Sequence, residues 1–333
     1  MAFSLRVQAS GTAGTRVMEL SGAVKEAELT YSRLDAPTKL TFACIESGRI
    51  LADVGSAVVF AVDGLVMFKG YVFTAERNQD GETSYTAYDQ IRYLKANASY
   101  IFENMTLTQM ISQIAGDFGL TVGNLAETGY AFPCLIKENE SCMDMIYDAL
   151  YETIIQTGVI YNFYDNAGAL TLTEAKNMYS PALLGDGPSS TEYTYKRDID
   201  ANTYNRVKLV RPNSETGKAD TYVHEDTETI KKWGLLQYYD QVDENLNEAQ
   251  IDAMCSQYLK YYNRVVQSLT LDSMGVKEIR AGTIVPVRIS LIEDLSMVRL
   301  LLAEKVTHHF EENDHTMSIE VKNFQSFGGM SIV

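Results

Sequence analysis

From Leu40 to Tyr93 apolar and polar positions alternate in short runs rich in β-branched and aromatic residues, broken by Val62-Asp63-Gly64 and by Asn78-Gln79-Asp80-Gly81. A period of two turns one face of each run toward a core, and Asp or Asn beside Gly supplies the turns, so this segment predicts a meander or small barrel. Phe68 to Thr74, the turn at Asp80-Gly81 and the return Thr83 to Tyr88 read as a hairpin. The texture changes beyond Lys95. Thr106 with Gln109 three residues on forms a capping box, and Leu107, Met110, Ile111, Ile114, Ala115 and Phe118 follow at helical spacing until Gly119. Ser141 opens a second helix, with Asp144 at its third position and a stripe of Cys142, Met145, Ile146, Ala149, Leu150 and Ile154 running to Gly158. The two helices are expected to pack together. A hairpin then turns at Asp165-Asn166-Ala167-Gly168 between Val159–Tyr164 and Leu170–Thr173, making the middle unit α+β.

Tyr179 to Ser190 holds two of the six prolines and two glycines and is the best linker in the chain. Strands resume at Glu192–Lys196 and Arg206–Arg211, followed by an acidic stretch. A third helix is capped by Asn247 and turns Ile251, Met254, Cys255, Tyr258, Leu259 and Tyr262 inward. Strands return at Ser268–Leu271, Thr283–Leu291, Val298–His309 and Thr316–Asn323. The two ends echo each other. Gly55 precedes Val58 and its strand as Gly282 precedes Val285 and its strand; each leads to a further apolar strand, a polar turn (Asn78 to Gly81; Glu311 to Asp314) and a return strand. Two copies of one barrel would give this pattern, as would chance likeness between meanders.

Composition narrows the function classes. At 333 residues the chain exceeds what one core usually organises, so two or three domains are expected, and 46% hydrophobic residues can fill them. With 28 Lys and Arg against 44 Asp and Glu, the net charge of −16 argues against nucleic acid as a general partner, because counterion release needs clustered cations. Nine acidic residues against Lys231 and Lys232 fall between Asp220 and Asp252, a solvated face or a surface that meets a basic partner. Cys44, Cys134, Cys142 and Cys255 stand far apart, so neither a disulfide framework nor a zinc ribbon is expected, and a reducing compartment fits. The longest apolar run, Ala57 to Val62, is far short of a membrane span, and the N-terminus lacks a signal-like apolar core.

Candidate chemistry is sparse. Gly185-Asp186-Gly187-Pro188 lacks the Lys and the helix of a phosphate loop, and no Gly-x-Ser-x-Gly elbow occurs. The run His308-His309-Phe310-Glu311-Glu312-Asn313-Asp314-His315 has metal-site chemistry. Strand alternation, however, sends His308 and His309 to opposite faces, and the favoured reading is a polar turn with His308 and His315 meeting across a hairpin. Glu225, Asp226 and Glu228 are the candidate carboxylates for glycoside hydrolysis, although their spacing shows no facing pair over a cleft. The expectation is no catalytic, cofactor or metal residue.

Three segments taken in order resemble a known family: Ala36-Pro37-Thr38-Lys39-Leu40-Thr41-Phe42, Met67-Phe68-Lys69-Gly70-Tyr71-Val72-Phe73, and Ala87-Tyr88-Asp89-Gln90-Ile91-Arg92-Tyr93-Leu94-Lys95. The likeness continues through Thr106 to Leu120, Ala149 to Gly158, the turn at Asp165, Lys305 to His308 and His315 to Met317. It is similar to the baseplate hub family of contractile tails in Gram-positive phages and defective prophages, related in architecture to the hub of T-even phages. Within it Gly70 reads as a point of close approach between strands and Asp89 as a turn or cap residue.

The resemblance implies an α+β chain with an N-terminal tube-like barrel over residues 1–97, an α+β middle domain over 98–184, and a second barrel over 185–333 with a helical insertion around 226–264. It implies a homotrimer whose six barrels form a pseudo-sixfold ring between a hexameric tail tube protein and a trimeric spike protein, with tape-measure and other baseplate proteins nearby and no membrane partner. The place is the bacterial cytoplasm during assembly and then the baseplate of a phage or bacteriocin-like particle. Barrel closure would hide strand edges, and an inward acidic excess would keep cargo from sticking. The alternatives are a baseplate cell-wall glycan hydrolase and another tail component, such as a distal-tail or tube protein.

Overall fold

In the computed structural model, which describes residues 3–11, 14–45, 52–187, 190–213, 217–311 and 314–322, alternation begins well before Leu40. The N-terminal strands are β1 (Phe3–Gly11), β2 (Gly14–Glu19), β3 (Val24–Ser32), β4 (Lys39–Ile45), β5 (Ala57–Val62), β6 (Leu65–Arg77) and β7 (Glu82–Tyr88). Asp63 and Gly64 both take positive φ, 45° and 82°, the two-residue turn whose twist suits an antiparallel hairpin. Gly70 does what its position predicts. A Cβ there would lie 2.2 Å from the Tyr88 carbonyl oxygen, so only glycine lets β6 pass so close to the end of β7.

The middle segment holds β8 (Asn97–Thr106), α1 (Leu107–Asp117), β9 (Val122–Leu125), β10 (Ala131–Ser141), α2 (Cys142–Thr157), β11 (Tyr161–Asp165) and β12 (Leu170–Glu174). Both arms of the Thr106–Gln109 capping box form, Ser141 caps α2, and Gly158 ends it at φ 70°. The apolar stripes of α1 and α2 meet in one core with Phe102, Phe132 and Phe163. β8 and β10, unread in the sequence, form a two-stranded ribbon.

The segment expected to be a linker is stitched down instead. Within it Tyr179 bridges Ile284, and β13 (Leu184–Gly185) runs parallel to β19 (Ile284–Arg288). A Cβ on Gly185 would lie 2.0 Å from the Arg288 carbonyl oxygen, so glycine here permits close packing rather than slack. Pro188 and Ser189 lie outside the described residues, as do Glu312, Asn313 and Asn323. β14 (Ser190–Asp198) follows.

Chain contacts divide into two compact units, Met1–Thr194 with Leu269–Val333, and Tyr195–Ser268. The second holds β15 (Arg206–Asn213), β16 (Lys218–Glu225), α3 (Thr227–Trp233), β17 (Gln237–Gln241) and α4 (Glu248–Tyr262). The Asn247 cap forms as predicted, and α4 turns Ile251 and Cys255 onto Val207 and Leu209. The acidic stretch is therefore structured: strand, short helix and strand.

The chain closes with β18 (Val266–Met274), β19, β20 (Arg299–Glu311) and β21 (Asp314–Lys322). The protein is mostly antiparallel β-sheet, and strands from both ends of the chain share one 13-stranded sheet. Its main order is β14-β18-β21-β20-β3-β4-β7-β6-β5-β1-β2, with β13 and β19 off that path. β20 and β3 make the join, pairing antiparallel from Lys305↔Ser32 to Glu311↔Glu26.

The echo between the ends has a structural counterpart. β3-β4-β7-β6-β5 and β14-β18-β21-β20-β19 are the same order, and β6 and β20 are both 13 residues long. In the first half Gly55 donates to the Val72 carbonyl and Val72 donates to the Ser56 carbonyl; in the second, Gly282 and Ala303 do likewise with Thr283. Gly55 and Gly282 both take positive φ, 83° and 88°. A register shift follows at once in each: between Val72 and Thr74 against β7, and between Ala303 and Lys305 against β21. Val58 opposes Gly70 as Val285 opposes Leu301.

Candidate assembly surface

The end of β7 is tied to the middle and C-terminal segments by a buried polar cluster. Asp89 caps the helical turn at Gln90–Lys95, accepting from the amides of Ile91 and Thr38, each at 3.0 Å. Gln90 extends the tie. Its amide group donates to Asp165 Oδ2 at 2.7 Å and to the Thr121 carbonyl, and its oxygen accepts from the Thr121 amide. Arg280, from the β18–β19 connection, donates to the Asp165 carbonyl at 2.9 Å and lies over the rings of Tyr164 and Tyr31. Asn162 on β11 reaches the Gly282 carbonyl at 3.0 Å.

Burial, and then the neighbouring Asp165 carboxylate, push the Asp89 carboxyl up to about 7, and burial raises Asp165 as well. Such perturbed carboxylates are candidates for chemistry wherever a cleft serves them. The nearby opening, lined by Tyr31, Arg33, Asn162, Tyr164 and Arg280, has a volume of about 10 Å³, the size of a single water. Both Asp89 oxygens are spent on backbone amides. The cluster is suited to fixing three segments in one orientation.

His308 and His315 meet as the alternation predicts. His308 is fully buried while His309 points out toward Glu28, 3.4 Å away. The Ile279 carbonyl can only accept, so His308 Nε2–H donates to it at 2.8 Å. His308 Nδ1 is then the acceptor for His315 Nε2–H, also at 2.8 Å. Burial drives His308 down to about 3 and His315 down to about 4, so the neutral tautomers this chain of bonds requires are held. Gly275 makes the room, since a Cβ there would lie 2.2 Å from the His315 ring. Among the described residues, no group of three His, Cys, Asp or Glu could hold a metal.

The three candidate carboxylates are not brought together over a cleft. Asp226 caps α3 by accepting from the amides of Glu228 and Thr229 and from the Asn263 side chain. Glu225 faces Arg206 and Glu228 faces Lys231. Sequence reading missed a constellation in the same unit: His224 Nε2 lies 2.7 Å from Asp252, and Ser256 Oγ lies 3.2 Å from His224 Nδ1. Asp252 and Ser256 stand one turn apart on α4, so the trio pins that helix to β16. Ser256 sits inside a helix, where neighbouring amides are already bonded and offer no oxyanion donors.

Surfaces suited to assembly are the apolar positions left outside. Ile101 and Ile136 are register partners on the β8–β10 ribbon and are 63% and 65% exposed. Leu65 and Val66 stand at the β5–β6 turn, and Leu291, Met297 and Val298 along the connection between β19 and β20, the counterpart position in the second half. No helix among the described residues is long and apolar enough to cross a membrane.

A family model described as YQBQ-like matches residues 27–322. A curated relative, the phage-like element PBSX protein XkdQ of Bacillus subtilis, is 32% identical over 272 residues, covering 80% of this chain and 81% of its own. Among solved structures, the 43 kDa tail protein of prophage MuSo2 from Shewanella oneidensis matches with a TM-score of 0.69 at 14% identity, over 96% of this chain and 98% of that one. The E. coli c3393 protein matches with a TM-score of 0.57 at 10% identity, over 93% of this chain and 76% of that one. It is described as a type VI secretion component structurally similar to the T4 tail proteins gp27 and gp5. The fold is thus shared with phage tail proteins and their secretion-system counterparts.

Proposed function

We propose a function from one premise: this chain belongs to the YQBQ-like family, and it serves as a structural baseplate hub subunit. Three copies form a ring with pseudo-sixfold symmetry, joining a hexameric tail tube to a trimeric spike, with tape-measure and other baseplate proteins as neighbours. The observation that carries this reading is the strand order repeated at the two ends, β3-β4-β7-β6-β5 and β14-β18-β21-β20-β19. A chain that carries one arrangement twice offers six similar surfaces from three copies, while keeping true threefold symmetry elsewhere. That resolves a mismatch between two closed point groups.

On this reading the repeated halves are the two tube-like barrels, within residues 1–97 and 185–333, and residues 98–184 are a separate middle domain. The role is non-catalytic. In support, the opening near the perturbed carboxylates is only water-sized and is lined by neither of them, and Glu225, Asp226 and Glu228 are engaged in capping and ion pairs. The chain assembles in the bacterial cytoplasm and resides in the baseplate of a phage or phage-tail-like particle. Electron microscopy of the assembled particle tests the reading: three copies at the tube–spike junction are expected. Six copies would instead identify a distal-tail or tube protein, and loss of glycan hydrolysis on changing Glu225, Asp226 or Glu228 to the amide would identify a hydrolase.

A further inference from the structure

The internal repeat shows which parts of the chain the shared strand order needs. In the first half β3 passes to β4 through residues 33–38; in the second, the strands in the corresponding places, β14 and β18, are joined through residues 199–265. That longer connection makes up nearly all of the compact unit Tyr195–Ser268, which has a core of its own around Val207, Leu209, Ile251 and Cys255. The first half forms the same strand order without any such unit. The role of the insertion therefore lies in what its surface meets.

Its sheet, in the order β16-β15-β17, is covered by α4 on the face that carries Val207 and Leu209. Alternation sends Lys208 to the other face, where its register partners are Val223 on β16 and Tyr239 on β17. Val223 is 39% and Tyr239 58% exposed, and Lys208 Nζ lies 5.7 Å over the Tyr239 ring. Among the described residues no carboxylate pairs with Lys208. Arg206 is the next residue of β15 on that face. Glu225 Oε2 stands 3.3 Å from its Nε, without the alignment of a hydrogen bond. The other carboxylates of the unit are committed elsewhere. Asp220 pairs with Arg211 and Asp252 with His224, both on the α4 side; Asp226 caps α3, Glu228 faces Lys231, and Asp243 bonds within the turn that precedes α4.

An antiparallel sheet can leave one face in water. What sets this face apart is its sign: in a chain of net charge −16, its described charges are the two cations Arg206 and Lys208 and the single carboxylate of Glu225. We infer that the face centred on Lys208 docks an acidic segment of a different protein of the particle, one that sets carboxylates against Arg206 and Lys208 and an apolar side chain against Val223 and Tyr239. Such a partner is repelled by the acidic excess of the chain and drawn by these cations, so the field orients it before contact. A second copy fits less well, because its carboxylates in this unit are already held by Arg211, His224, Lys231 and the α3 cap. The inference rests on the reading of the chain as a particle subunit and not on its copy number.

Photo-crosslinking in the assembled particle tests this, with a benzophenone side chain in place of Val223 or, as a control on α4, of the exposed Gln257. From position 223 the expected product joins the chain to a carboxylate-rich segment of another particle protein; from position 257 that product should be missing. Crosslinks from 223 to a neutral or basic segment, to a second copy of this chain, or to nothing overturn the inference. Lys208→Glu should lower the yield from position 223 roughly tenfold or more, whereas Lys208→Arg should keep it. Replacing the crosslinked carboxylates by lysine should restore the yield in Lys208→Glu. Should Lys208→Glu disturb the fold, the parent carries the test alone: its yield should fall steeply between about 0.05 and 0.5 M salt, and a yield that ignores salt overturns the charge match. Copy number is read separately by microscopy. Three copies at the tube–spike junction without the crosslink refute the docking and leave the hub reading standing; six copies with the crosslink do the reverse.

Discussion

The halves built around β6 and β20 share strand order, a left-handed glycine at the same place and the same register shift, but they are packed with different materials. In the first half a Cβ on Gly55 would meet nothing within 4 Å; in the second, a Cβ on Gly282 would lie 2.7 Å from the Asn162 side chain. Where β6 runs on with Thr74, Ala75 and Glu76 in or near solvent, β20 buries Val306 and the His308 imidazole under β3. The lesson is that a repeated backbone needs repeated hydrogen-bond geometry at a few positions, whereas side chains answer to whatever lies against each copy.

Substitution of the paired glycines should separate these two requirements most strongly. Gly55→Ala meets only the left-handed backbone penalty and should cost about 1 kcal/mol. Gly282→Ala adds a clash with a buried, hydrogen-bonded amide and should cost about 3 kcal/mol. Denaturant unfolding of the two variants measures the difference, and equal losses would break the comparison. Asp89→Ala removes the cap and leaves the buried amides of Thr38 and Ile91 unpaired, with an expected cost of about 2 kcal/mol. Asp89→Asn, which keeps one acceptor, should fall between that and the parent.

The buried histidine gives the second half a pH dependence opposite in sign to that of Asp89 in the first. Because His308 is pushed down to about 3, the unfolded chain binds a proton that the folded chain refuses between roughly pH 6.5 and that value. Its neutral form therefore costs nothing above pH 6.5, and stability drops as pH falls through that window. Asp89, raised to about 7, works in the opposite direction, since its folded form holds a proton that the unfolded chain releases above about pH 4. His308→Gln is expected to be destabilised at pH 8, with its deficit relative to the parent shrinking by about 2 kcal/mol by pH 4.5. A constant deficit would show that His308 is not buried neutral.

The smallest effect is expected at the join itself. Arg33 donates twice to the Glu304 carboxylate, at 2.7 and 3.0 Å, with both side chains mostly covered. Arg33→Ala should cost about 1 kcal/mol, more than an open surface pair because the contact is bidentate. Phe73, the counterpart of Glu304 on β6, carries no such pair, so loosening the join should leave the β6–β7 hairpin undisturbed in hydrogen exchange.

What could be read in the sequence was local. The Thr106, Ser141 and Asn247 caps, the Gly158 stop, the Asp165 turn, Gly70 and the capping Asp89 all stand as expected, each being settled by residues a few positions away or by a backbone angle few residues accept. The β8–β10 ribbon escaped notice because its alternation is broken by positive φ at Asn104 and Asn139, and only Phe102 and Phe132 are fully inside. The α3 helix is seven residues long, buries none of them and sits in an acidic run, so it left no stripe. The supposed linker misled because glycine was read as freedom, while Gly185 serves close packing against Arg288.

By itself the sequence determined the alternating strands from Leu40 to Tyr88, the ends of the long helices and the echo around Gly55–Val58 and Gly282–Val285, since alternation, caps and left-handed glycines act over a turn or a strand. Only the tertiary structure decided that Ser32 pairs with Lys305 across most of the chain and that Asp89 and Asp165 share one buried cluster. Strand partners are chosen by which edges are free and which faces must be covered once everything else has packed, and no window of local sequence carries that information.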